Sequence, residues 1–259
     1  MLLKGKRGVI FGVANERSIA WAIAKAADRE GARLCITYQN EEIGKRVKEI
    51  SRELKGEPVL ARCDVTVDEE IEAVYRRLEE EFGSLDFIVH SVAYARREEL
   101  GGRFVETSRE GFRVAMEVSV YSLVAVVRPA LKLMGEGGSI LTLTYLGGER
   151  VVPNYNVMGV CKAALEMAVR YLAWDLGEMG IRVNAISPGP ILTLSSSTIR
   201  GFRRLYRSFH EVAPLRRNTQ PDEVADVAVF LLSDMSRGIT GEVVFVDQGY
   251  NIMGFYGRG

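Results

Sequence analysis

Cysteine is sparse in this chain of 259 residues: there are three, Cys35, Cys63 and Cys161. The set is odd, each lies in an apolar stretch, and no pair has CxxC or other metal-ligand spacing. That argues against a disulfide framework and a metal site, and for reduced, buried thiols in a cytoplasmic protein. Proline is scarce too, at seven, while glycine reaches 26. Many glycines with few prolines mark tight turns and close backbone approaches in an ordered fold, not a linker. Net charge is absent, because 34 Lys and Arg balance 34 Asp and Glu. Without a basic surplus, an extended nucleic-acid interface is excluded. Disorder is excluded by a hydrophobic share of 47%. No apolar run approaches the roughly 20 residues of a membrane span. The N-terminus, MLLKGKRGVIFG, lacks the layout of a signal peptide. No membrane partner is expected.

What is present is a regular alternation. β-rich runs stand at Arg7–Gly12, Arg33–Tyr38, Pro58–Arg62, Asp86–Ser91, Ser139–Thr144, Arg182–Ser187 and Glu242–Val246. Most are nearly continuous in Val, Ile, Leu or Phe, the pattern of strands buried on both faces. Amphipathic segments separate them: Ser18–Glu30, Glu41–Leu54, Val67–Phe82, Ser108–Met134, Asn156–Met179 and Asp222–Ser233. Strand and helix alternating in this way predict an α/β fold, a doubly wound parallel sheet of about seven strands with helices on both faces. With no linker, low-complexity tract or fixed repeat, residues 1–259 read as a single domain. One stretch breaks the rhythm. At about 192–217 the chain turns Ser/Thr-rich and then Arg-rich, as a lid over a site at the sheet's carboxyl edge would.

Candidate chemistry collects where strands end. After the first run comes Gly12-Val13-Ala14-Asn15-Glu16-Arg17-Ser18-Ile19-Ala20. Small residues leading into a helix offer backbone amides to a pyrophosphate. Strict G-x-G-x-x-G is absent, so an ordinary turn capped by Ser18 is the competing reading. The second run ends in neutral Gln39-Asn40, with no Lys or Arg for a 2′-phosphate, which favours NADH over NADPH. Asp64, after the third run, either accepts from an adenine amino group or caps the helix from Val67. Tyr155 and Lys162 are seven apart, almost two helical turns, which places both on one helix face roughly 10 Å apart. A nearby lysine favours the phenolate form of a tyrosine, and such a pair can serve an oxygen that gains charge. Tyr145 closes a strand at the same edge. Ile191 and Thr193 follow a rigid Pro188-Gly189-Pro190 loop and offer an amide and a hydroxyl to a cofactor.

Together these pieces resemble the short-chain dehydrogenase/reductase superfamily over the whole chain. They are most similar to its divergent branch, the bacterial enoyl-acyl-carrier-protein reductases of type II fatty acid synthesis. The resemblance rests on Gly12-Val13-Ala14 with Ser18-Ile19-Ala20, Thr37-Tyr38-Gln39-Asn40, Cys63-Asp64-Val65 and His90-Ser91-Val92-Ala93. It continues in Tyr145, in Tyr155 ten residues later with Met158 and Lys162, and in Arg182 through Ile191. Ordinary superfamily members carry a serine 12–14 residues before the tyrosine; Thr142 stands thirteen before Tyr155 here.

The resemblance implies a Rossmann-type fold and hydride transfer from NADH to the double bond of a trans-2-enoyl thioester. It assigns catalysis to Tyr155, Lys162 and Tyr145. Gly12, Ser18, Ile19, Gln39, Asp64, Val65, Ser91, Val92, Lys162, Ile191 and Thr193 would line the cofactor. Ala95, Tyr145, Tyr155, Met158 and Phe202 would border the acyl chain. It further implies a homotetramer. Arg200, Arg203, Arg204 and Arg207 either dock an acidic acyl carrier protein or form a solvated helix face. Another superfamily activity, on a carbonyl or alcohol, is the competing function.

Overall fold

The seven apolar runs form seven strands in the computed structural model, which describes residues 1–135 and 137–254. They are β1 (Arg7–Phe11), β2 (Arg33–Tyr38), β3 (Val59–Arg62), β4 (Phe87–His90), β5 (Gly138–Leu143), β6 (Ile181–Pro188) and β7 (Val243–Val246). All pair in parallel, in the order β3-β2-β1-β4-β5-β6-β7. The register sets Phe11 beside His90 and His90 beside Thr142.

Side chains alternate across each strand, and both faces are covered. On β1, Ile10 joins one core layer while Val9 and Phe11 join the other. The first layer is closed by α1 (Ile19–Arg29), α2 (Glu41–Ile50) and α8 (Pro221–Leu232), through Trp21, Ile23, Val47, Val224 and Leu231. The second is closed by α3 (Asp68–Phe82), α5 (Ser122–Met134) and α6 (Val157–Leu176), through Ile71, Leu78, Leu123, Val126, Leu165 and Val169. Burying each such side chain contributes about 1.5–3 kcal/mol. That is why continuous apolar strands, rather than alternating ones, specify this arrangement.

Three segments differ from expectation. The single helix expected over Ser108–Met134 is α4 (Arg109–Met116), a π-helical stretch Glu117–Tyr121, and α5. By length and composition alone, Arg109–Met134 is apolar enough to cross a bilayer, contrary to the reading that no such run exists. Its apolar character serves the core, since Leu123, Val126, Val127 and Ala130 pack under the sheet. The helix expected from Asn156 begins at Val157, so Tyr155 lies in the turn before α6. The 192–217 stretch contains a 3-10 turn, Ser196–Thr198, and α7 (Phe202–Val212), which buries Phe202 and Phe209.

The strand order reverses direction at β1 and β4. In open α/β sheets a crevice forms there, at the carboxyl ends of the strands. Gly12, Gln39, Asp64, Ser91, Tyr145 and Ile191 all follow the carboxyl ends of strands.

Candidate active site

Gly12 leaves β1 with φ of +97°. A Cβ there would stand 2.1 Å from the Ser91 carbonyl oxygen, so only glycine lets the first loop lie against the exit of β4. Buried Asn15 then organises the turn. Its Oδ1 accepts from the Arg17 amide at 2.9 Å, and its carbonyl accepts the Ser18 hydroxyl at 2.6 Å. Ser18 does precede α1, but its side chain makes no cap bond, and the first turn holds no acid. Ser18 is therefore the N-cap by position and backbone, not through its side chain. A helix start with no carboxylate or side-chain cap suits an anionic group.

Across β2 and β3, exposed Gln39 donates from Nε2 to Asp64 Oδ2 at 3.3 Å. Asp64 Oδ1 accepts from the Thr66 amide at 3.0 Å and from its hydroxyl at 2.7 Å. Partial burial pushes the Asp64 carboxyl up, but the Thr66 and Gln39 hydrogen bonds outweigh it and hold the group below its ordinary value. Asp64 is thus an ionised acceptor. It does not cap α3, whose N-cap is Val67 with no side-chain cap bond. Val65 follows it, half-buried.

The central group is Tyr145, Tyr155 and Lys162. The two rings meet edge to face, with centroids 5.1 Å apart and planes at 72°. Such a pair contributes about 1 kcal/mol beyond its burial. Gly147 makes room for it, because a Cβ there would come 2.4 Å from Tyr155 Cδ1. Lys162 is buried, and its Nζ donates to the Leu143 carbonyl at 2.8 Å. Burial lowers its pKa to about 8. Two expectations are corrected here. Asn154 and Asn156, with φ of +67° and +41°, turn the chain at Tyr155, so Tyr155 and Lys162 do not share a helix face. Nor is Tyr155 poised as a phenolate: burial, with Tyr145 and Cys161 nearby, pushes its phenol well above the ordinary range. It is a neutral O–H donor. Tyr145 is shifted upward as well, chiefly by burial.

A buried polar network lies behind this group. His90 Nε2 meets Ser122 Oγ at 2.8 Å, and Ser122 Oγ donates to the Val118 carbonyl at 2.6 Å. The serine proton being spent, Nε2 carries the imidazole proton and donates it. The Thr142 hydroxyl lies 2.9 Å from His90 Nδ1 and 3.1 Å from the His90 carbonyl, so its one proton is shared between two acceptors of the same residue. Burial, reinforced by the Lys162 charge, lowers the His90 pKa to about 3, so the ring is neutral. Thr142 is thereby turned away from Tyr155. Ser119, in the π-helical stretch, binds both the amide and the carbonyl of Tyr94, at 3.0 and 3.1 Å, and fixes the Val92–Ala95 loop. Glu166, one turn beyond Lys162, accepts the Thr144 hydroxyl at 2.6 Å, and burial raises its carboxyl pKa.

Ala95, Tyr145, Tyr155 and Met158 gather in one apolar cluster with Leu100, Met116 and Ile199. Phe202 is not part of it. It lines a neighbouring cavity of about 720 Å³ between residues 97–107 and 197–203. A second cavity, about 520 Å³, separates the Asn15–Arg17 turn from Thr193, Arg203 and Arg207. Thr193 Oγ1 accepts from the Ser196 amide at 3.1 Å, which leaves its O–H free to donate elsewhere. Ile191 is buried in the first core layer.

Asn15, Ser119, Ser122 and Glu166 escaped the sequence reading. Each is polar in an apolar run or a turn, and only its burial marks it. Asn154 and Asn156 escaped too, although a pair of asparagines flanking the key tyrosine is itself a signal for left-handed backbone.

A family described as "Enoyl-(Acyl carrier protein) reductase" matches residues 12–251. The chain is 54% identical to the enoyl-(acyl-carrier-protein) reductase (NADH) FabI of Bacillus cereus, over 98% of this chain and 99% of that protein. It is also 54% identical to the enzyme of the same name from Aquifex aeolicus, over 99% and 95%. The solved Bacillus cereus enzyme with NADP+ and indole naphthyridinone superposes with a TM-score of 0.96 over 98% of this chain and 99% of that one. The reductase of Anaplasma phagocytophilum in complex with NAD, 49% identical, superposes at 0.93, over 98% and 95%.

Proposed function

The chain belongs to the enoyl-(acyl carrier protein) reductase family, and from that premise we infer that it reduces the trans-2 double bond of enoyl-acyl-carrier-protein thioesters with NADH, in type II fatty acid synthesis. One observation favours this over reduction of a ketone. The hydroxyl at the spacing of the carbonyl reductases' serine, Thr142, is bonded to His90 and unable to assist Tyr155. Tyr155 faces Tyr145 instead.

The residues present suit a dinucleotide. Gly12 allows close approach, the start of α1 carries no acid, and Thr193 keeps a free O–H. Gln39 and Asn40 supply no cation for a 2′-phosphate, which fits NADH. Ile19, Val65, Ser91, Val92 and Ile191 complete the proposed lining. When bound, the dihydronicotinamide supplies hydride to C3 of the substrate. Hydride addition there drives charge onto the thioester oxygen. Tyr155, neutral and buried, donates its O–H to that oxygen and stabilises the enolate. Lys162 spends one N–H on Leu143 and keeps two for the ribose hydroxyls. Ala95, Tyr145, Met158 and Phe202 exclude water along the acyl chain, and the 192–217 segment closes over it.

Arg200, Arg203 and Arg204 are exposed at the rim of that segment, and no ion pair joins them to a carboxylate among the described residues. We read them as the landing for the acidic carrier protein. Copies of the chain cover one another at the outer face of α6, within a homotetramer, and the three buried thiols fit a cytoplasmic setting.

Tyr155→Phe tests the assignment. Its kcat on a crotonyl thioester should fall about 100-fold, the usual cost of one donor to a developing oxyanion, with the thermal midpoint preserved. An unchanged kcat would remove Tyr155 from the mechanism.

A further inference from the structure

Tyr155 stands between two asparagines in left-handed backbone. Asn156 is the more unusual, with φ +41° and ψ −118°, the first central position of a type II′ turn, normally taken by glycine. Asn154 has φ +67°. Strain at both flanks of one residue persists only where surrounding contacts hold it. Those contacts are visible. Asn154 Nδ2 donates to the Arg200 carbonyl at 3.0 Å, immediately before Gly201, the N-cap of α7. Asn156 Nδ2 donates to the Gly101 carbonyl at 2.9 Å. The two acceptor residues meet each other as well, since a Cβ on Gly101 would lie 3.9 Å from Arg200 Cδ. Residues 97–103 and 197–203 form the two walls of the cavity of about 720 Å³. The contacts therefore close a ring: the 154–156 turn, the start of the lid helix and the 97–107 loop.

We infer that Asn154 and Asn156 are positioning residues that clamp the Tyr155 turn between the lid and the 97–107 loop. The phenol is then held for its donation only while both walls are docked. When the 192–217 segment opens, Asn154 loses its acceptor and the tyrosine relaxes. The inference rests on the role proposed for Tyr155. It differs from a plain turn-forming role in one respect. If the asparagines merely tolerated their backbone angles, glycine would replace them without loss.

Asn154→Gly and Asn156→Gly therefore form the test. Glycine adopts both conformations more easily but gains freedom in the unfolded chain, so the thermal midpoint should change little. Each variant should lose about tenfold in kcat on crotonyl thioester, as one hydrogen bond is removed, while the KM for NADH stays put. Hydrogen exchange should quicken in residues 196–212 for Asn154→Gly and in residues 97–107 for Asn156→Gly. Asn154→Asp, which tolerates the backbone but lacks the N–H, should behave as Asn154→Gly does. Unchanged kcat and exchange in these variants would overturn the clamp. If wild-type protein fails on the enoyl thioester, the functional reading falls instead, and the exchange data still decide the clamp.

Discussion

Lys162 is the residue at which burial and charge conflict most directly. Its ammonium is desolvated, with one bond to the Leu143 carbonyl, and Cys161, Glu166 and His90 are the titratable groups around it. Burial outweighs the help from Cys161 and Glu166, and the pKa falls from 10.5 to about 8. The folded state then binds fewer protons than the unfolded chain between those values, so stability rises with pH across that window. Below about 8 the buried charge costs stability; above it the cost is relieved. Thermal unfolding of wild type minus Lys162→Met, taken from pH 7 to 10, should show the difference moving in favour of wild type above pH 8. A flat difference would mean the ammonium is solvated. That Lys162 stands on α6 was legible from the helical pattern, but its spacing from Tyr155 misled and its protonation was hidden, because that depends on which strand end covers it. The same holds for Ser18 and Thr142. Their hydroxyls were visible in the sequence, but their directions, to Asn15 and to His90, are set by contacts that no local pattern encodes.

Among elements, the strands were the most legible, because a parallel sheet demands apolar side chains on both faces and little else produces short continuous runs. Helix starts were less so. α6 begins after Asn156 rather than at it, since two left-handed asparagines interrupt what propensity alone would extend. α7 was hidden by its arginines; Phe202 and Phe209, seven apart, are the buried signal. The π-helical stretch between α4 and α5 has no sequence marker, yet it carries Ser119, one of the anchors of the Val92–Ala95 loop. α6 also has an outward face. Val160, Met167, Tyr171 and Trp174 fall on one side of the helix and stay open to solvent, Trp174 by 83%. The homotetramer proposed above would cover such a stripe. Wild-type protein should therefore sediment as an assembly, and Trp174→Glu as a smaller species with its NADH affinity retained. Identical sedimentation of the two would remove α6 from the interface.

At the scale of the whole molecule, the zero net charge is an average over two dissimilar regions. The strand-end edge pairs one carboxylate, Asp64, and one ammonium, Lys162, with neutral side chains and helix-start amides. The 192–217 segment carries exposed arginines that a balanced total conceals. Doubly wound topology sets six strand ends along one edge of the sheet, which is why residues from Gly12 to Ile191 stand there although the sequence scatters them. The alternation of strands and helices made that convergence foreseeable. The loop-to-lid ring around Tyr155 was not, because it depends on contacts between segments fifty residues apart. The most direct measurement follows NADH absorbance with wild-type protein, offering a crotonyl thioester and simple ketones in parallel. A double-bond reductase oxidises NADH with the thioester and leaves the ketones untouched. Turnover of the ketones alone would contradict it.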